Sequence, residues 1–134
     1  AEASIVAGVA FSHPRTTGSH ACSFPLTNIY GLPHGEACAF TLDYFLKFNA
    51  EHADGDGRIT ALAKDCGFND AFEMADEITA MKKRMGMRCT LSEIGCETDE
   101  QIDELTKKSM SMLMTRNPIT LTQKDIKEMY IKLK

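Results

Sequence analysis

The stretch SHACSFPLTNIYGLPHG, Ser19 to Gly35, runs directly into EACAFTLDYFLKFN, Glu36 to Asn49, and these two segments decide how the chain folds. The second is apolar on most faces, through Ala37, Cys38, Phe40, Leu42, Tyr44, Phe45, Leu46 and Phe48, while Glu36, Asp43 and Lys47 fall on one stripe. A helix that is apolar all round must be covered on every side, so this pattern predicts one central buried helix over 35–49. The first segment holds two histidines, His20 and His34, fourteen residues apart. His20 opens a helical turn that Pro25 restricts, and His34 follows Pro33 at the start of the apolar segment. A histidine at the start of an ordered element can offer one ring nitrogen to a metal while a carbonyl or carboxylate holds the other. Spacing alone leaves that role open beside ordinary packing or a surface position. Two ligands do not complete a catalytic site, which wants three or four.

Outward from this stretch the signals are helical. Ile5, Val6, Val9 and Ala10 form a short stripe that His13-Pro14 ends, because the residue before a proline is steered out of the helical region. Ala53 to Gly57 reads ADGDG and imitates part of a calcium loop, with Asp54, Asp56 and Gly57 at its third, fifth and sixth positions. The imitation fails where charge is needed, since His52 and Ala63 occupy the first and twelfth positions. The segment is instead a turn, with Asp56 as a cap for a helix over 58–66 that Gly67 stops.

Asn69 is the expected cap of a longer helix to Met85, with Asp70 and Glu73 in its first turn and Lys82, Lys83 and Arg84 in its last, an order that complements the helix dipole. Its core stripe is expected to be Met74, Ile78, Met81 and Met85, backed by Ala71 and Ala75. Met87 to Glu97 is a loop anchored by Leu91 and Ile94. Thr98 and Gln101 make a capping box for a helix to about Met112, buried by Ile102, Leu105, Ser109 and Met112. After Asn117-Pro118, Thr122 and Asp125 restart a helix lined by Ile126, Met129, Tyr130 and Leu133. No alternating strand pattern and no repeat occurs, so the fold class is all-α, a helical bundle forming a single domain over 1–134.

With 134 residues the chain can bury one core. A net charge of −4, without Lys/Arg blocks or basic-aromatic interleaving, excludes a nucleic-acid footprint. No apolar run approaches the length of a membrane span. The five cysteines, Cys22, Cys38, Cys66, Cys89 and Cys96, form no Cys-x-x-Cys pair and read as reduced, mostly buried thiols of a cytoplasmic protein. Ala1 to Phe11 starts directly in helical sequence without a start methionine, as if cut from a longer chain.

The central stretch resembles the signature of the iron-containing alcohol dehydrogenases, His-Ala-x-x-x-Pro-Leu followed by Pro-His-Gly, matched here by His20, Ala21, Pro25, Leu26, Pro33, His34 and Gly35. The resemblance implies that His20 and His34 bind a divalent metal, iron(II) with zinc as the alternative. It further implies an NAD- or NADP-dependent enzyme that interconverts an alcohol and an aldehyde or ketone, and a homo-oligomer as the intact protein. The fold implied is that of the C-terminal domain shared with dehydroquinate synthase-like proteins. The nucleotide-binding domain and the helices carrying an Asp and a further His ligand would lie in sequence absent here.

Many members have a histidine four places after the first metal histidine, whereas Phe24 stands there in this chain. An apolar ring relays no proton, so the proton donor is left unassigned. An aromatic residue at that position resembles the phosphonoacetaldehyde reductase subgroup, which implies a substrate-pocket role for Phe24 and a small anionic aldehyde as substrate. Two readings compete: a zinc-dependent relative such as glycerol dehydrogenase, and a stand-alone helical interaction module in which both histidines are structural.

Overall fold

The structure, a computed structural model, describes residues 1–134 and consists of eight α-helices joined by turns and two short 3-10 segments, with no strand. The helices are α1 (Glu2–Phe11), α2 (Gly18–Tyr30), α3 (His34–Phe40), α4 (Leu42–Ala53), α5 (Arg58–Asp65), α6 (Ala71–Arg84), α7 (Asp99–Ser109) and α8 (Gln123–Lys132). None is long and apolar enough to cross a membrane.

The bundle is built around α2, which packs on α3, α7 and the 3-10 segment Met112–Arg116. The core gathers Ala21, Cys22 and Leu26 of α2 with Phe40, Leu105, Met129 and Tyr130. Inside it the Tyr130 hydroxyl lies 2.7 Å from Ser109 Oγ, which itself donates to the Leu105 carbonyl, so these two buried hydroxyls are satisfied. Helices α4 and α6 form a second pair, with α5 against both.

The caps show how closely local chemistry dictates the elements. Thr98 with Gln101, and Thr122 with Asp125, form the two expected capping boxes. Gly67, at φ 89°, ends α5 as expected. Two caps shift by a residue or two. Asp70, not Asn69, accepts the N–H groups of Phe72 and Glu73 at the start of α6, and Asp54 takes those of Ile59 and Thr60 while Asp56 takes only that of Arg58.

The larger differences come from packing. The helix over 35–49 is two helices, broken at Thr41, where φ −110° and ψ 2° leave the helical region. At the break the Tyr44 N–H donates to Asp43 Oδ1, and the Phe40 carbonyl accepts instead from Lys82 Nζ at 3.2 Å. Lys82 also pairs with Asp43 Oδ1 at 2.7 Å, and Thr79 donates to the other carboxylate oxygen. Asp43 of the polar stripe is therefore buried, and so is Lys82, whose side chain is only 3% exposed.

This pair also rotates α6. Ala71, Ala75 and Lys82 are its buried residues, and small side chains let it approach α4, which leaves Met81 and Met85 exposed at the margin. Met112 is exposed too, because the chain leaves α7 at Met110. Helix α1 buries nothing, and Ile5, Val6 and Val9 face outward.

Glu36 near the start of α3 is held by Arg88, which donates to it from its backbone N–H at 2.9 Å and from its guanidinium at 2.8 and 2.9 Å. These hydrogen bonds, above all those of the guanidinium, pull the Glu36 carboxyl from 4.5 down to about 2. A carboxyl depressed by folding contributes stability that is fully present above its unfolded value of 4.5 and is lost as pH falls through about 2. Glu36→Gln is accordingly expected to lower the urea midpoint at pH 7, with the difference from wild type shrinking between pH 4.5 and 2. A difference independent of pH would show that the contact stabilises by packing alone.

Candidate metal centre

Three residues, Gly31 to Pro33, bring the two histidines together. Gly31 takes the left-handed conformation, φ 69°, that closes α2, its N–H shared between the Leu26 and Thr27 carbonyls. Leu32 is buried and its N–H returns to the Leu26 carbonyl. Pro33 is extended, with ψ 139°, and starts α3 without needing an N–H. The chain thereby doubles back along α2, and His34 comes to lie beside Ser23, their Nδ1 and Oγ atoms 3.5 Å apart. Helix α2 itself continues through Pro25 to Tyr30, beyond the single turn expected around His20.

The imidazoles of His20 and His34 meet edge to face, ring centroids 4.9 Å apart. Phe24 packs edge-on against His20 at 5.0 Å and tilted against His34 at 6.1 Å, with 46% of its surface exposed. Fully buried Ser23 donates to the His20 carbonyl at 2.7 Å. Desolvation, and secondarily the neighbouring His34, push the His20 imidazole below its ordinary value of 6.5. At neutral pH this ring is uncharged and keeps a lone pair for a ligand.

A third side chain beside the pair was not legible as such in the sequence. Cys38 is not a core residue but half-exposed, and its Sγ lies 3.5 Å from His20 Nδ1 and 3.6 Å from His34 Nε2. One ligand atom from each of His20, His34 and Cys38 falls within 4.8 Å of the others. The available signal was the four-residue step from His34 to Cys38, which puts both on one face of a helix. Beside this cluster runs an open groove of about 430 Å3, lined by His20 and Cys38 together with Arg15, Thr16 and Thr17. Arg15, at φ 68°, is the only non-glycine residue in the left-handed region, a conformation that costs about 1–3 kcal/mol and concentrates at functional sites.

Comparison with known proteins identifies the family of the chain. Residues 1–133 match the family described as the Fe-containing alcohol dehydrogenase family, C-terminal. An alcohol dehydrogenase of Thermococcus barophilus is 30% identical over 131 residues, 96% of this chain and 34% of the relative. Among solved structures, sulfoacetaldehyde reductase from Bifidobacterium kashiwanohense in complex with NAD+ is similar at TM-score 0.91 and 48% identity, over 98% of this chain and 34% of that one. An iron-containing alcohol dehydrogenase from Thermococcus thioreducens is similar at TM-score 0.77 and 27% identity, over 95% of this chain and 34% of that one. The chain thus spans about a third of the length of each of these relatives.

The position of His20 depends on how α2 begins. Gly18, its first residue, is buried where an added Cβ would stand 2.8 Å from both the Phe45 ring and Leu121 Cδ1. Gly18→Ala is expected to cost about 1–3 kcal/mol in urea unfolding, the usual range for overpacking a filled core. An unchanged midpoint would show that the start of α2 can shift freely.

Proposed function

We propose a function on one premise: this chain belongs to the iron-containing alcohol dehydrogenase family, as its C-terminal domain. The whole protein interconverts a small alcohol and its aldehyde or ketone by hydride transfer with NAD or NADP. The observation that carries this reading is the convergence of His20 and His34, whose rings meet although a helix and a chain reversal separate them. The nucleotide is assigned to the larger part of such proteins, which this chain does not match.

The donor chemistry fits a divalent metal, because two imidazoles face one another and burial keeps His20 uncharged. His20 and His34 would hold it, iron(II) by family and zinc as the alternative. When bound, such an ion lowers the pKa of an alcohol hydroxyl or polarises a carbonyl. Ser23 Oγ lies beside the His34 ring, 3.5 Å from its Nδ1. Phe24, against both imidazoles, lines the substrate side and keeps water from it without taking part in proton transfer.

Arg15 supplies the positive charge of the groove. It suits a short aldehyde carrying a sulfonate or phosphonate, since a guanidinium matches such oxygens in a fork geometry. The 48% identity to a sulfoacetaldehyde reductase supports the same substrate class.

In the whole protein, Arg15→Ala is expected to raise the KM for sulfoacetaldehyde about tenfold or more, the scale of one charge-assisted hydrogen bond, while the KM for propanal changes little. Equal changes for both aldehydes would remove Arg15 from anion recognition. Absence of NAD(P)H oxidation with any short aldehyde by the metal-loaded protein would overturn the function itself.

A further inference from the structure

We propose that Ser23 and Cys38 are positioning residues that hold both imidazoles as the tautomer with hydrogen on Nδ1, which leaves each Nε2 lone pair to the metal. The proposal rests on the reading of His20 and His34 as ligands and adds to it two side chains outside the seven signature positions. Hydrogens are few enough here to be counted. The Ser23 hydroxyl has one, given to the His20 carbonyl at 2.7 Å. Toward His34 Nδ1, 3.5 Å away, the same oxygen can therefore only accept, so that nitrogen carries the hydrogen of the neutral ring and Nε2 keeps the lone pair. The Cys38 thiol, 3.6 Å from His34 Nε2, donates its single hydrogen to that lone pair. Toward His20 Nδ1, at 3.5 Å, the sulfur then only accepts, and His20 takes the same tautomer as His34.

The four contacts close a ring that runs from the His20 imidazole through Cys38, His34 and Ser23 back to the His20 carbonyl. Its sense is set by the carbonyl. That oxygen has no hydrogen, so the opposite sense would turn a Ser23 lone pair toward it at 2.7 Å. Ser23 is fully buried, and no solvent competes for its long contact with His34. Cys38 is half-exposed, and its bond to His34 Nε2 is the one given up when that nitrogen takes an ion. The sulfur keeps the hydrogen of His20 and stays a thiol outside the ligand set, whose remaining members belong to the rest of the whole protein. Ligating histidines ordinarily give their other ring N–H to a fixed acceptor, which sets ring orientation and raises ligand basicity. Ser23 and Cys38 are those acceptors, one for each ring.

Nitrogen-15 spectra of the metal-free whole protein, labelled at histidine, test the tautomers without any variant. Both rings are expected to carry hydrogen on Nδ1 and none on Nε2; a bare Nδ1 in either would overturn the proposal. Zinc affinity, read by competition with a chromophoric chelator, is expected to fall about 10–100-fold in Ser23→Ala and in Cys38→Ala, the usual worth of such partners. It is expected to return in Cys38→Ser, whose hydroxyl accepts and donates in the same places. Cobalt(II) in place of zinc is expected to show d–d bands and no thiolate charge-transfer band. A charge-transfer band, or alanine variants that bind zinc as wild type does, would overturn the positioning roles and leave the histidine pair standing. Wild type that binds neither ion would overturn the reading of the pair as ligands, and this proposal with it.

Discussion

The reversal at Gly31 to Pro33 is the constraint on which the rest of the structure depends. A left-handed glycine closes α2, a buried leucine anchors the turn, and a proline fixes the direction in which α3 departs. Ala21 and Ala37 are then buried, and side chains this small allow α2 and α3 to lie close. Without that approach the two imidazoles would sit at the heads of separate helices with no shared environment. The turn therefore converts two distant positions in sequence into one site, at the cost of very few residues.

Helix α3 is short, and seven residues would not hold the His34 ring in place by their own hydrogen bonds. It is fastened at both ends by charge. Near its start Glu36 is gripped by Arg88, from the segment after α6, and at its end the Phe40 carbonyl accepts from Lys82 of α6. Lys82 meets Asp43 in the same place, so one buried ammonium serves the helix break and a carboxylate together. Buried ion pairs pay heavily in desolvation and add little net stability. Here the pair specifies geometry: it fixes where α3 ends and how α4 faces α6.

The distribution of exposed apolar residues follows from the same architecture. The core is concentrated around α2, α7 and α8, while α1 stands outside it with its valines and isoleucine uncovered. The chain spans about a third of its relatives, and the first helix is the element least explained by contacts within that third.

Helix class, the capping boxes at Thr98 and Thr122, the stop at Gly67 and the core positions Ile102, Leu105, Ile126, Met129 and Tyr130 were all legible in the sequence, because each depends on neighbours within one helical turn. The pairing of His20 with His34 was legible only through a resemblance, not through spacing. What tertiary structure alone decided was the break at Thr41, the rotation of α6 and the position of Cys38. All three turn on contacts between residues far apart in the chain: Lys82 reaches Phe40 and Asp43, and Cys38 reaches His20 across a helix interface. Apolar periodicity reads Lys82 as surface and Cys38 as core. It records whether a side chain prefers water, and it carries no information about which buried carbonyl, carboxylate or imidazole that side chain will meet.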